Sequence, residues 1–245
     1  MTNFIVIRQS RTSDIAAINQ VVRDAYLSNI FPAWLNALTK EITFQLVVVF
    51  SALMFIFMGV PLQYCFLAIP LVMFLLLIVV ASAFLMKATE LAYGKKPIQC
   101  WVAEAFEPYF SMEKPESQTY EIIPEYKIVT DSIDLTKCKK QIVGTVSVAR
   151  FINVDNAAWL FRLAVNKRYQ RKGVAHSLVR TVQAWCKDNR YYDLLLAVSE
   201  CQDNARKLFM NTGFTIKQMY HKQIVGSAIT LLMYQLECTI TSTFK

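Results

Sequence analysis

Residues 42–86 form 45 consecutive positions without Asp, Glu, Lys, Arg or His. A helix made of such residues is apolar all round and lacks the polar face that a surface helix presents to water. Gly59, Pro61 and Gln63 are the turn-like cluster within the run, and they divide it into Ile42–Val60 and Tyr64–Met86. Segments of 19 and 23 residues rise roughly 28 and 34 Å as helices, close to a hydrocarbon core of about 30 Å. The run therefore reads as a two-helix membrane hairpin. A shallower re-entrant hairpin has the same composition, and a pair of buried core helices is the soluble alternative. Lys40 precedes the run, and Lys87, Lys95 and Lys96 follow it, so both ends are expected on the cytosolic side. Just upstream, Tyr26, Leu27, Ile30, Phe31, Trp34, Leu35 and Leu38 recur at helical spacing, interrupted by Pro32. That pattern predicts two short amphipathic pieces, lying at the bilayer interface or on a domain core.

Outside the run the chain has an ordinary globular balance. Its 245 residues, 55% hydrophobic and 18% charged, exclude a disordered chain. The formal net charge of +8 suits nucleic acid, an anionic membrane surface or a polyphosphorylated cofactor. No zinc-ligand spacing, helix-turn-helix or aromatic RNP pattern supports nucleic acid, and none is expected as a partner. The six cysteines (Cys65, Cys100, Cys138, Cys186, Cys201, Cys238) contain no CxxC and read as reduced thiols facing a cytosol. The start of the chain is polar within ten residues, unlike a cleaved signal peptide. Three regions follow: 1–40 as the first part of a globular domain, 42–86 as the hairpin, and 95–245 as the main domain with an insertion at 107–140.

The globular regions alternate strand and helix patterns. Strands are predicted at Phe4–Arg8, Gln99–Phe106, Ile142–Arg150, Ala158–Val165, Asp193–Val198, Phe214–Lys222 and Ala228–Glu237. Helices are predicted at Asp14–Tyr26, Val174–Arg190 and Asn204–Thr212, the last ended by Gly213. Glu107–Lys140 shows no clear period, with Tyr120–Val129 as a possible extra hairpin. The fold class is α/β: a mixed sheet with flanking helices, interrupted by the transmembrane hairpin.

One constellation points to chemistry. After the strand ending at Val165 come Asn166-Lys167-Arg168-Tyr169-Gln170-Arg171-Lys172-Gly173-Val174-Ala175, and a helix starts there. Glycine and small residues at a helix N-terminus leave several backbone N–H groups open, and the helix dipole favours an anion beside them. Lys167, Arg168, Arg171 and Lys172 add positive charge at the same mouth. Such a site fits a pyrophosphate, against the plainer reading of a basic solvated loop. Neither GxGxxG nor GxxxxGK[ST] is present, which disfavours a dinucleotide fold and a P-loop.

Gln170-x-x-Gly173-x-Ala175 following Leu163-Ala164-Val165 resembles the acetyl-CoA signature of the GCN5-related N-acetyltransferases (the GNAT family). Ile7-Arg8 with Ser13-Asp14 is similar to that family's first strand and helix, and Ala205-x-x-Leu208-Phe209-x-x-x-Gly213-Phe214 to its closing motif. The apolar segment after the first helix, Arg162 before Leu163, Trp101-Val102-Ala103-Glu104 and Gln202-x-x-Ala205 resemble one branch: camello-type proteins, cysteine-S-conjugate N-acetyltransferases and N-acetylaspartate synthases. The resemblance implies an acetyl-CoA-dependent N-acetyltransferase of the endoplasmic-reticulum membrane, facing the cytosol, with a small-molecule or protein amine as acceptor and no metal. It also implies roles. Backbone groups of Leu163, Ala164 and Val165 would pair with the pantetheine arm and polarise the thioester. Gln170 and the amides of Arg171, Lys172, Gly173, Val174 and Ala175 would surround the pyrophosphate. Gln202 and Asn204 would lie near the far end of the pantetheine.

The attacking amine must lose a proton. Glu104 is the first candidate base, its alternative being a solvated strand carboxylate, and Glu200 is the second. His176 sits beside the phosphate loop, and His221 reads as surface. Arg162 is expected to meet Glu104 or a substrate carboxylate. Phe209 stands where many family members carry the tyrosine presumed to protonate the leaving thiolate; Tyr191, Tyr192 and Tyr220 are possible substitutes. The competing readings are a catalytically silent acyl-CoA-binding scaffold and a membrane interaction protein working through its hairpin.

Overall fold

The computed structural model describes residues 3–59, 61–93, 96–108, 115–124, 138–151, 156–225 and 229–240. Eight strands form one sheet: β1 (Phe4–Gln9), β2 (Gln99–Pro108), β3 (Glu121–Pro124), β4 (Cys138–Arg150), β5 (Ala157–Val165), β6 (Asp193–Ser199), β7 (Thr215–Val225) and β8 (Ile229–Thr239). Their order is β3-β1-β2-β4-β5-β6-β8-β7. β1 runs parallel to β3 and β5 parallel to β6, while the other neighbours are antiparallel.

Strand periodicity sorts the side chains onto two faces. Cys100, Val102 and Ala164 point to one face, where α1 (Ile15–Leu27) buries Ile18, Val21 and Val22 against them. Burying a side chain of that size contributes about 1.5–3 kcal/mol. Trp101, Ala103, Val143 and Val146 point to the other face, under α5 (Val174–Asp188), whose Leu178, Val179, Val182 and Cys186 recur on one stripe. Gly144 lets α5 sit close: a Cβ there would lie 3.2 Å from Leu178 Cδ1 and 3.3 Å from Ala103 Cβ and Val174 Cγ1. The last helix, α6 (Asp203–Asn211), packs Phe209 into the same core.

Between α1 and β2 lie α2 (Ile30–Leu38), α3 (Glu41–Met58), a 3-10 turn over Leu62–Leu67, and α4 (Ala68–Tyr93). α3 has one buried residue, Thr43, with Phe44 at 78% and Phe57 at 80% exposure. Glu41–Met58 and Gln63–Glu90 are long and apolar enough to cross a bilayer. α3 and α4 pack together, and Ser51 Oγ donates to the Cys65 carbonyl at 3.3 Å. α4 also packs on α1 and α2, where Trp34 Nε1 donates to the Met73 carbonyl at 3.1 Å.

The elements agree with the sequence patterns to within a few residues, and three differences have physical reasons. The break between the amphipathic pieces falls at Ser28–Asn29, not at Pro32, which sits in the first turn of α2 where its missing N–H costs nothing. The second apolar segment begins with a 3-10 turn and its α4 part runs beyond Met86 to Tyr93. Glu107 and Cys138–Lys140 extend β2 and β4 rather than belonging to an irregular insertion. Of the expected extra hairpin, Glu121–Pro124 is a strand parallel to β1, and 125–137 lies outside the described residues. A Gly144→Val substitution should overpack the α5 seat and lower stability by about 1–3 kcal/mol, measurable by thermal or urea denaturation in detergent.

Candidate active site

β5 and β6 are paired through Ala157–Trp159 against Asp193–Leu195. β5 then continues to Val165 and β6 to Ser199 without further pairing between them. Two parallel strands that part in this way leave a wedge whose wall is one open strand edge. On its other side β5 stays paired with β4, but irregularly. Ser147 opposes Phe161 and Thr145 opposes Ala164, so β5 carries an extra residue between these points. That residue is Arg162 or its neighbour Leu163, and Arg162 takes a left-handed φ of 55°. A bulge of this kind re-aims backbone groups locally, and it lies beside the wedge. The Arg162 guanidinium lies 5.2 Å from the Phe161 ring centroid, and burial lowers its pKa from the ordinary value.

The chain leaves β5 through a short, well-bonded turn. Asn166 donates its backbone N–H to the Val143 carbonyl at 2.7 Å, and its side chain accepts from Arg168 N at 3.1 Å. Gln170 Nε2 returns to the Val165 carbonyl at 3.2 Å. Arg171 (φ 63°) and Gly173 (φ 81°) are both left-handed, and α5 begins at Val174 with no side chain capping its first turn. Successive amides in such a loop form an anion-binding concavity, reinforced by the helix N-terminus. Arg171 Nη2 reaches Asn204 Oδ1 at 3.4 Å, which joins this loop to the start of α6, where Gln202 is the N-cap residue. Leu163, Ala164, Val165, Gln170 to Ala175, Gln202 and Asn204 are thus gathered by β5, the turn and the two helix starts around the wedge. Lys172 departs from expectation: its ammonium turns to the main-chain carbonyls of Glu116 and Gln118 and lies 4.9 Å from the Tyr120 ring centroid.

The two candidate bases are separated. Glu200 follows β6 directly, its N–H bonded to the Leu232 carbonyl at 2.9 Å. Glu104 is on β2, with β4 between it and β5. Its carboxylate accepts from Arg8 Nε at 2.8 Å, and Arg8 also donates to Asp14 at 2.6 Å. The arginine seated on Glu104 is therefore Arg8. Burial alone would weaken the Arg8 charge, but hydrogen bonds to Asp14 and Glu104 outweigh it and raise its pKa. The Arg8 hydrogen bond in turn lowers the Asp14 pKa. Glu104 lines a cavity of about 330 Å³ with Gln20, Val21, Asp24, Lys140 and Asn166. A second of about 540 Å³, between α1 and the 165–170 turn, shares Asp24 and Asn166 with it. Among the described residues no cluster suited to a metal occurs.

Residues 98–214 match the acetyltransferase (GNAT) family model. Over those residues the chain is similar to the GNAT acetyltransferases. Its sequence is 31% identical over 83 residues to N-acetyltransferase 8B of Mus musculus, covering 34% of this chain and 36% of that protein. It is 40% identical over 55 residues to N-acetyltransferase 8F1 of Rattus norvegicus, covering 22% and 25%. The matched stretches thus span less than half of these relatives, which fall in the branch that the sequence resembles. A solved structure described as a putative phosphinothricin N-acetyltransferase superposes at a TM-score of 0.50, covering 97% of this chain and 99% of that one at 10% identity; this likeness concerns the fold.

Within the matched residues Phe209 is 4% exposed and packs edge-on to Phe214, ring centroids 5.4 Å apart. The proposed substitutes are differently placed. Tyr191 stacks on Trp185, and Tyr192, just before β6, donates its N–H to the carbonyl of Asn156, just before β5, at the end away from the wedge. Tyr220 is on β7, opposite Met233, itself opposite Ser199. His176 is half-buried in the first turn of α5, and His221 is exposed. The Arg8–Asp14–Glu104 group escaped the sequence reading because its members are 96 and 6 residues apart, although Arg8 and Glu104 fall on one face once β1 and β2 are aligned.

Arg8→Met, which strips both carboxylates of their buried partner, should destabilise the protein by about 3–5 kcal/mol in chemical denaturation. Asp14 has a lowered folded pKa, so its contribution is present above its unfolded value near ~3.9 and is lost as pH falls through the folded value. Asp14→Asn should flatten the loss of stability below about pH 4, read from melting temperatures across an acid series.

Proposed function

We propose that this chain is a membrane-anchored N-acetyltransferase that moves acetyl from acetyl-CoA to a primary amine by direct attack. The observation that carries the reading is the wedge between β5 and β6 beside the uncapped N-terminus of α5. A pantetheine arm fits the wedge as an added strand, bonding to the open backbone edge at Leu163–Val165. The first-turn amides of α5 and the left-handed Arg171 and Gly173 suit the pyrophosphate. A backbone N–H at the β5 bulge would meet the thioester oxygen and stabilise the charge that develops there.

The amine nitrogen attacks the thioester carbon, the tetrahedral intermediate collapses, and CoA leaves as its thiolate. A thiol with a pKa near ~8.5 leaves without an acid, which is consistent with Phe209 lacking a hydroxyl. Geometry favours Glu200 over Glu104 as proton acceptor. Glu200 stands at the wedge end of β6, whereas Glu104 would have to give up its Arg8 partner to take a proton. The acceptor classes that remain are an amino acid, a cysteine conjugate, and a protein lysine or N-terminus.

The anchor in this reading is α3 with the Gln63–Glu90 segment. Lys40 and Lys87 flank it, and the domain joins it at both ends, so one face of the bilayer holds the whole catalytic domain. The branch resemblance favours the endoplasmic reticulum with that domain in the cytosol. A silent acyl-CoA-binding scaffold is the second reading, and Phe209 is the residue in its favour.

Three measurements test this. Calorimetry on detergent-purified protein should give micromolar acetyl-CoA binding that Gly173→Glu abolishes; no binding by folded wild type sinks the transferase reading. Glu200→Gln should lower kcat by about 10²–10⁴-fold with CoA affinity retained, whereas wild-type turnover in that variant moves the base elsewhere. The full chain should float with liposomes through a carbonate wash, and its recovery in the soluble fraction would remove the anchor.

A further inference from the structure

β2 ends in Glu107-Pro108, beyond Glu104 and on the face opposite to it. The Glu107 carboxylate accepts from two phenols, Tyr120 Oη at 2.5 Å and Tyr169 Oη at 2.6 Å. The two rings meet edge-on with centroids 5.5 Å apart. Tyr169 is 1% exposed and immediately precedes Gln170. Burial and the Glu107 carboxylate both raise the two phenol pKa values, so these groups remain donors. On the far side of Gln170 and Arg171, Lys172 donates to the carbonyls of Glu116 and Gln118 and covers the Tyr120 ring. Gln118 is held in turn by Asn3 Nδ2 at 2.8 Å. Ile122 Cδ1 would lie 3.5 Å from a Cβ on Gly173.

The loop at the start of α5 is therefore gripped at both ends, at Tyr169 and at Lys172, by one cluster centred on Glu107. The grip has a purpose that packing alone would not require. Arg171 is a non-glycine residue at φ 63°, a conformation that persists only where surroundings over-determine it. A loop whose amides must converge on an anion gains affinity when it is ordered before the ligand arrives. Resting on the acetyl-CoA reading above, we infer that Glu107 is a positioning residue for the pyrophosphate: through Tyr169, Tyr120 and Lys172 it holds the phosphate-binding loop in its binding conformation. The segment Glu116–Tyr120 acts as the buttress, which gives these residues a role in cofactor binding.

The inference separates the two halves of the cofactor. Loosening the loop should weaken a ligand that has the pyrophosphate and spare one that lacks it. The test is calorimetry on the full chain in detergent, with CoA as one probe and pantetheine, read by competition, as the other. Glu107→Gln keeps the size of the side chain but cannot accept from both phenols with a full charge. It should raise the CoA Kd about tenfold and change pantetheine affinity less than twofold. Equal losses for both probes would mean a general structural role, and an unchanged CoA Kd in a folded variant would overturn the inference outright. If Glu107→Gln does not fold, Tyr120→Phe removes one donor and keeps the ring under Lys172. That variant should raise the CoA Kd about threefold with pantetheine again spared, and an unchanged Kd would count against the clamp in the same way. Failure of wild type to bind CoA would instead remove the acetyl-CoA reading on which the inference rests.

Discussion

The parting of β5 from β6 is the constraint around which the rest of the domain is arranged. A parallel pair normally closes its hydrogen bonds along its whole length, because an unpaired backbone group away from water is costly. Here pairing stops at Trp159 and Leu195, and both strands run on. Each is held by its outer neighbour instead: β5 by β4 as far as Val165, and β6 by β8 as far as Ser199. The wedge can exist because the sheet is wide on both sides of it. The bulge at Arg162 belongs to the same design, since it lets β5 bend away while keeping its bonds to β4.

Two polar clusters then fix what surrounds the wedge, one on each face of β2. On the α1 face, Arg8 joins β1, the turn before α1 and β2 through Asp14 and Glu104. On the α5 face, Glu107 joins β2, the residues before β3 and the turn after β5. Glu104 and Glu107 are three positions apart, an odd offset, so the strand presents them to opposite faces. Burying such groups is expensive unless every one is partnered, and among the described residues no buried side-chain nitrogen or oxygen lacks a hydrogen bond. The outcome is orientation more than net stability: α1 is set on one face and the α5 loop on the other.

The sequence made the fold legible where a short-range rule governs it. Alternating and short apolar runs located every strand but β3, and helical stripes located α1 and α5. The run at 42–86 announced α3 and α4 by composition alone. The strand-to-helix turn at 166–175 was legible for the same reason, because its glycine, small residues and basic residues are contiguous. What stayed hidden depends on register and distance. That Lys172 turns its charge to the Glu116 and Gln118 carbonyls follows from where β3 lies, which no local pattern announces. Glu104 read as a candidate base that Arg162 could meet, because its actual partner Arg8 is 96 residues away. The Glu107 clamp joins positions 107, 120 and 169, and none of these has a distinctive neighbourhood in the chain.

The apolar hairpin is inserted where the domain can tolerate it. It leaves after α2 and returns before β2, so the sheet itself is not interrupted, and α3 contributes no large apolar side chain to a core. Yet the insertion is not a loose tether. α4 packs against α1 and α2, Trp34 bonds to the Met73 carbonyl, and burial beside Glu90 lifts the Tyr26 pKa to about 12. α1 in turn buries Ile18, Val21 and Val22 on the strand pair β2–β5 side of the sheet, against Cys100, Val102 and Ala164. A shift of α4 would therefore reach the wall of the wedge through one intervening helix, by contacts between packed side chains. The same contact chain makes α1 the element that links α4 to the groove lined by Asp24, Asn166 and Gln170.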